Sequence, residues 1–178
     1  MKLTLLRAAL KQMWSMIVLE YRVQGGMTMQ IRSYQAADCV HLAALFHQTV
    51  HTVNVADYTA AQCDAWSDGQ VDLAAWHRSF SQHHTLVALI DHEIVGFGDI
   101  APDGYLDRLY VHHAHQRQGI ATALCDALEQ AFPVMRIYTQ ASLTARPFFL
   151  QRGYHVLQAQ NVLRKGILLP NLLMEKLR

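Results

Sequence analysis

The sequence predicts a single mixed α/β domain, a mostly antiparallel sheet of about seven strands flanked by helices. Three observations support this. Hydrophobic residues make up 52% of 178 residues against 16% charged, enough for a core that needs no staples. Stretches of alternating apolar residues and stretches with apolar residues three and four apart succeed one another along the chain. Nine Gly and four Pro are spread as punctuation rather than gathered into low-complexity tracts.

Leu3, Leu6, Leu10, Met13, Ile17 and Tyr21 fall at helical steps, so residues 1–23 read as an amphipathic helix charged by Lys2, Arg7, Lys11 and Arg22. Lys11 interrupts the apolar run of any secretory signal, and the segment is too short and too charged to span a membrane. It is read as a helical extension, residues 1–28, lying on the domain or on a second subunit. Gly25-Gly26 breaks the chain, and the folded domain is expected over 29–178.

A strand at 30–34 leads to a helix from Asp38 to Thr52, whose apolar positions include Leu42, Leu45, Phe46 and Val50. Thr59 caps a short helix through Trp66, and another covers Leu73 to Phe80. Strands at His84–Ile90 and Glu93–Ala101 flank the two-residue turn Asp91-His92, and a third follows at Tyr105–Val111. Gly119 to Phe132 is an amphipathic helix stopped before Pro133; a strand at 134–139, a helix at 144–152 and two closing strands near 154–163 and 167–176 complete the domain.

Fifteen Lys and Arg nearly balance fourteen Asp and Glu, so no overall field draws the protein to nucleic acid or anionic lipid. Arg117, Arg136, Arg146, Arg152 and Arg164 are dispersed rather than striped, which argues against a nucleic-acid interface. Cys39, Cys63 and Cys125 form no C-x-x-C pair, so a reducing cytoplasm is expected and no disulfide framework or zinc site. His112-His113-x-His115 has no acid or thiol nearby at ligand spacing and reads as polar loop histidines, so no metal is expected. Gly96-x-Gly98-x-x-Ala101 matches a dinucleotide fingerprint on paper, yet Pro102-Asp103-Gly104 stands where a helix must begin. There is no Walker loop and no G-x-S-x-G elbow.

The most informative stretch is a strand ending in Leu109-Tyr110-Val111, a short loop, and Gln116-Arg117-Gln118-Gly119-Ile120-Ala121 opening a helix. The first N–H groups of a helix lack intrahelical partners and carry the positive end of its dipole, so such a loop holds a diphosphate on backbone amides. Gly119 lets phosphate approach the backbone. A neutral protein can thus hold a highly charged cofactor.

Gln116 to Ala121 is Q-x-x-G-x-A and resembles the acetyl-CoA motif Q/R-x-x-G-x-G/A of the GCN5-related N-acetyltransferases (GNAT). Its context supports the resemblance: the strand Leu106 to Val111 before it, and Ser142 to Tyr154 later, similar to the family's N-x-x-A-x-x-F-Y-x-x-x-G-F. The resemblance runs from about residue 29 to the C-terminus and extends to the YafP-like branch, which also writes A-S-x-T-A-x-P-F-F.

The resemblance implies acetyl transfer from acetyl-CoA to a primary amine of a small molecule or peptide, by direct attack in a ternary complex. It implies a cofactor lying between splayed strands at 105–111 and 134–140, with its pyrophosphate on Arg117 to Ala121, Gln116 and Thr122 completing the motif, and pantetheine on the backbone of Leu109, Tyr110 and Val111. Ser142 replaces the usual Asn beside pantetheine. Phe149 stands where the family commonly has the tyrosine that protonates the thiolate. A thiol of pKa about 8.5 leaves tolerably without an acid, whereas an alkyl amine of pKa about 10 must lose a proton before it attacks. Asp107 is the expected base, two residues before Leu109 and so expected on its strand face, with Tyr105 on that face as a second catalytic candidate. His47, His51, Tyr58 and Trp66, with Phe46, are expected to line the acceptor side, which suits a small amine of flat or apolar character. A homodimer is compatible with this reading. The competing reading is a non-catalytic acyl-CoA-binding regulatory module, for which Phe149 is the sequence support.

Overall fold

The computed structural model describes residues 18–22, 26 and 28–178. Five strands form one antiparallel sheet in chain order: β1 (Leu19–Arg22), β2 (Thr28–Ser33), β3 (His84–Ile90), β4 (Glu93–Ile100) and β5 (Leu106–Val111). Three more, β6 (Arg136–Ser142), β7 (His155–Arg164) and β8 (Ile167–Leu177), form a second antiparallel sheet in the order β6-β8-β7. The helices are α1 (Cys39–Thr52), α2 (Ala60–Trp66), α3 (Leu73–Gln82), α4 (Ile120–Glu129) and α5 (Arg146–Gln151).

β1 is a correction. Leu19-Glu20-Tyr21-Arg22 fits a period of two as well as a helical one, and pairing with β2 (Leu19 opposite Ile31, Tyr21 opposite Met29) decides for the strand. This makes eight strands among the described residues where about seven are expected. The rest of the helical reading, over residues 1–17, lies outside the described residues.

Both faces of the first sheet are covered, which is why β3 reads as a continuous apolar run. Leu86, Ala88 and Ile90 pack with Ile120, Leu124 and Leu128 of α4, while Val87 packs with Leu42, Phe46 and Val50 of α1. Gly96 and Gly98 of β4 make room for α4 rather than for a dinucleotide. A Cβ at Gly98 would stand 2.8 Å from Leu128 Cδ1 and 2.9 Å from the Arg108 carbonyl oxygen. Asp91 and His92 both take left-handed conformations (φ 50° and 66°), the geometry of the tightest hairpins. Thr59 caps α2 as expected, accepting the Gln62 N–H while the Gln62 side chain returns to the Thr59 N–H.

The two sheets meet at a parallel bridge between Tyr105 and Tyr138. Beyond it β5 and β6 are both sheet edges, and they part. Gly104 permits this junction: it is left-handed (φ +91°), its carbonyl accepts the Tyr138 N–H at 3.0 Å, and a Cβ there would lie 2.3 Å from the Arg136 carbonyl oxygen.

Candidate active site

A cavity of about 780 Å³ opens where the sheets part. Tyr105, just before β5, and Asp107, Arg108 and Tyr110 on it form one side; α1 and the segment from α2 to α3 contribute Phe46, Trp66, Asp68 and Trp76; Ser142 and the β7–β8 hairpin close the far side.

Asp107 reaches the cavity by an irregularity rather than by simple alternation. Asp99 pairs with Arg108 but Ile100 pairs with Leu106, so Asp107 is the extra residue of a β-bulge. Leu106 and Leu109 consequently face the same core, against α4, while Asp107, Arg108 and Tyr110 all line the cavity. The expectation that Asp107 shares a face with Leu109 is therefore corrected, because the bulge shifts the parity of the strand by one.

Asp107 is held by charge on one side and hydroxyl on the other. Arg108 Nη1 lies 3.1 Å from Asp107 Oδ2, and the neighbouring Tyr105 hydroxyl favours the ionised carboxylate. Burial pushes the Asp107 carboxyl above its ordinary range, Arg108 pulls it back, and buried Asp99 adds to the rise. Tyr105 is pushed up to about 12, first by burial and then by Asp107, so it stays a proton donor at neutral pH. His83, Asp99 and Asp107 offer ligand atoms within 4.8 Å of one another, but the Arg108 guanidinium already bridges the two carboxylates where a cation would sit.

Of the expected acceptor-side residues, Phe46, Tyr58 and Trp66 line the cavity. His47 and His51 do not. One turn apart on α1, they turn to the loop after α2, where His47 Nδ1 lies 3.1 Å from both the Ser67 carbonyl oxygen and Oγ, and His51 Nε2 lies 2.8 Å from that same carbonyl. They buttress the wall from behind. The Tyr58 hydroxyl donates to the Pro170 carbonyl at 2.8 Å and accepts the Leu143 N–H at 2.9 Å, pinning β8 to the end of β6.

The expected cradle lies at the start of α4. Gly119 is its N-cap in the left-handed region (φ +86°) with open space where a side chain would project, and Arg117 is left-handed too (φ 60°). The Gln116 side chain donates to the Val111 carbonyl at 2.6 Å, closing the loop back onto β5. Gln118 donates to the Ala114 carbonyl at 3.4 Å; Ile120 turns its side chain into the core, Ala121 is half-buried, and Thr122 is exposed. Leu109, Tyr110 and Val111 run along the unpaired edge of β5. Ser142 lines the cavity and its Oγ accepts the Ala145 N–H at 3.1 Å. Phe149 departs from expectation: it is 3% exposed, its ring lies 5.0 Å from that of Tyr154, and it is not among the residues lining the cavity. Pro147 stands in the first turn of α5, and Phe149, one turn from the start of the helix, packs into the core rather than projecting into the cavity.

Sequence reasoning missed Arg108, Asp99 and His83, and it missed that the two closing strands form a wall of the cavity. One signal was available: Asp99 is an acid inside Val95–Ile100, a run otherwise wholly apolar, and buried acids need partners.

Residues 54–176 match the acetyltransferase (GNAT) domain family. The uncharacterized N-acetyltransferase YafP of Escherichia coli strain K12 is 32% identical over 145 residues, 82% of this chain and 93% of that protein. A GCN5-related N-acetyltransferase (aminotransferase, class-II) from Rhodopseudomonas palustris is 28% identical, with a TM-score of 0.81, over 90% of this chain and 98% of that one. The PaiA N-acetyltransferase of Thermoplasma acidophilum, solved in complex with coenzyme A, shares the fold at 15% identity, with a TM-score of 0.68 over 85% of this chain and 100% of that one. A match across most of the chain, together with a relative at this identity and coverage, establishes that the chain belongs to the GCN5-related N-acetyltransferase family.

Proposed function

We propose that the protein transfers an acetyl group from acetyl-CoA to the primary amine of a small molecule or peptide, by direct attack in a ternary complex. The observation that carries this reading is a partly shielded carboxylate, Asp107, in an aromatic-lined cavity at the parting of two edge strands. The amides of Arg117 to Ala121 hold the pyrophosphate and the free edge of β5 at Leu109–Val111 meets pantetheine. The coenzyme A bound to the Thermoplasma protein of the same fold supports that assignment.

Asp107 draws the acceptor as an ammonium ion and takes its proton, directly or through water. The freed nitrogen forms a bond to the thioester carbon, the carbon–sulfur bond breaks, and the proton that the nitrogen sheds on becoming an amide reaches the thiolate through water, while Asp107 returns its own proton to solvent. Tyr105 orients the Asp107 carboxylate from its donor side. Phe46, Trp66, Trp76 and Tyr110 favour an acceptor with flat or apolar surface.

The protein is incubated with acetyl-CoA and a panel of primary amines while free thiol is followed. Amine-dependent thiol release with acetylated product is the expected result. Acetyl-CoA binding without release on any amine would instead favour the non-catalytic module.

A further inference from the structure

At the edge of the cavity two acids from neighbouring strands converge on one guanidinium, and a histidine pairs with the buried one of the two. His83 Nδ1 lies 2.5 Å from Asp99 Oδ2, and Arg108 Nη1 lies 2.9 Å from that oxygen and 3.1 Å from Asp107 Oδ2. Ser79 Oγ accepts from both terminal nitrogens of Arg108, at 3.2 and 3.3 Å, and the rings of Trp76 and Phe80 flank the guanidinium at 5.1 and 4.9 Å. Arg108 is gripped from several sides, so it does not follow one acid at the expense of the other.

The charge balance of this cluster depends on His83. Asp99 has no solvent exposure and its Oδ1 has no hydrogen-bond partner among the described residues, so its charge is met by Arg108 and, when protonated, by His83. With His83 neutral, two carboxylates share one cation, and Asp107, the one open to the cavity, takes up the strain. With His83 protonated, two positive groups meet two negative ones, and more of the charge of the fixed Arg108 is available to Asp107.

We propose that His83 is a positioning residue for the transfer reaction, setting the charge and orientation of the Asp107 carboxylate through Asp99 and Arg108. This rests on Asp107 serving as the base. The electrostatics agree: the hydrogen bond to Asp99 raises the His83 pKa above its ordinary value, while Asp99 and His83 act on Asp107 with opposite signs. The remaining charged groups are accounted for. Tyr105 and Arg108 face Asp107 from its own strand, Asp68 across the cavity is paired with Lys165, Asp72 caps α3 by accepting the Ala75 N–H, and Arg164 stands exposed on the hairpin. Asp103, on the turn before β5, also feels the charge of His83.

The test is a pH titration of the full-length protein carrying carbon-13 in its aspartate carboxyl groups, the Asp107 signal being identified by its loss in Asp107→Asn. In the wild type that signal is expected to show a second inflection where His83 titrates. His83→Gln removes the inflection and raises the Asp107 midpoint by at least about half a pH unit, while Asp99→Asn lowers it because Arg108 then serves one acid. Nonspecific damage does not produce shifts of opposite sign. Midpoints that stay put, or that move in the same direction, overturn the proposal; if Asp99→Asn does not fold, the wild-type inflection and His83→Gln decide it. Acetyl-transfer rates measured across the same pH range separate this inference from the reading beneath it. If the carboxyl midpoints move as expected and the acidic limb of transfer does not follow, Asp107 is not the base, although its coupling to His83 stands.

Discussion

Gly104→Ala tests the junction on which the cavity depends. The new Cβ would stand 2.3 Å from the Arg136 carbonyl oxygen and 3.2 Å from Val134 Cγ2, at a backbone φ of +91°. Ordinary carbon–oxygen contact is about 1 Å longer than the first distance, and the obstacle is backbone, so β6 must shift bodily. Three costs combine: roughly 1–2 kcal/mol for a side chain in the left-handed region, 1–3 kcal/mol for overpacking, and about 1 kcal/mol for weakening the Tyr138 N–H to Gly104 carbonyl bond. The expected loss is about 4 kcal/mol, a fall in Tm on the order of 10 °C. Gly166→Ala is the control, since Gly166 has φ +80° with nothing within 4 Å of a Cβ and carries only the conformational cost. Urea denaturation followed by circular dichroism gives both values. If Gly104→Ala costs no more than Gly166→Ala, β5 and β6 do not meet at Gly104 and the geometry of the cleft is wrong.

Three other outcomes are expected. Acetyl-CoA at a hundredfold excess over its Kd stabilises the wild type by about 2.7 kcal/mol, and Gly119→Glu abolishes that protection by putting bulk and charge into the phosphate path, as thermal shift will show. Phe149→Tyr places a hydroxyl among core residues, so it lowers stability by about 1–3 kcal/mol and leaves turnover unchanged; faster turnover would mean that the ring edge reaches the thioester sulfur. Glu129 is buried and accepts from Tyr154, Arg152, Lys176 and the Cys125 thiol. Burial opposes its charge, but these partners outweigh it and hold the carboxyl below its ordinary range. Its contribution is thus present above the unfolded-state pKa and lost as pH falls through the folded one. Glu129→Ala is expected to cost about 3–5 kcal/mol at neutral pH and to flatten the acid side of the stability profile measured by denaturation.

The helices after residue 38, the Asp91-His92 hairpin and the glycine that opens α4 were legible because each is local: a cap, a two-residue turn, a glycine at a helix start. What was not legible depends on tertiary contact. Leu19–Arg22 is too short for periodicity to separate strand from helix, and only its pairing with β2 resolves it. Asp107 lines the cavity, but not on the face of Leu109 where alternation puts it, since the bulge opposite Asp99 and Ile100 leaves no mark in the sequence. His47 and His51 have the right chemistry for a substrate wall, but the loop at Ser67 passes in front of them and takes their hydrogen bonds. Phe149 fits the motif by position, and its packing against Tyr154 was invisible to spacing.

The central claim is that Asp107 removes a proton from an amine that then attacks acetyl-CoA. Its most direct test is the pH dependence of acetyl transfer by Asp107→Asn against the wild type, on an amine that the wild type acetylates and with acetyl-CoA binding measured alongside. The account predicts unchanged acetyl-CoA affinity, a loss of at least about a hundredfold in rate near neutral pH, and partial recovery as the amine deprotonates itself toward about pH 9. Equal rates for the two proteins between about pH 6 and pH 9 would contradict it.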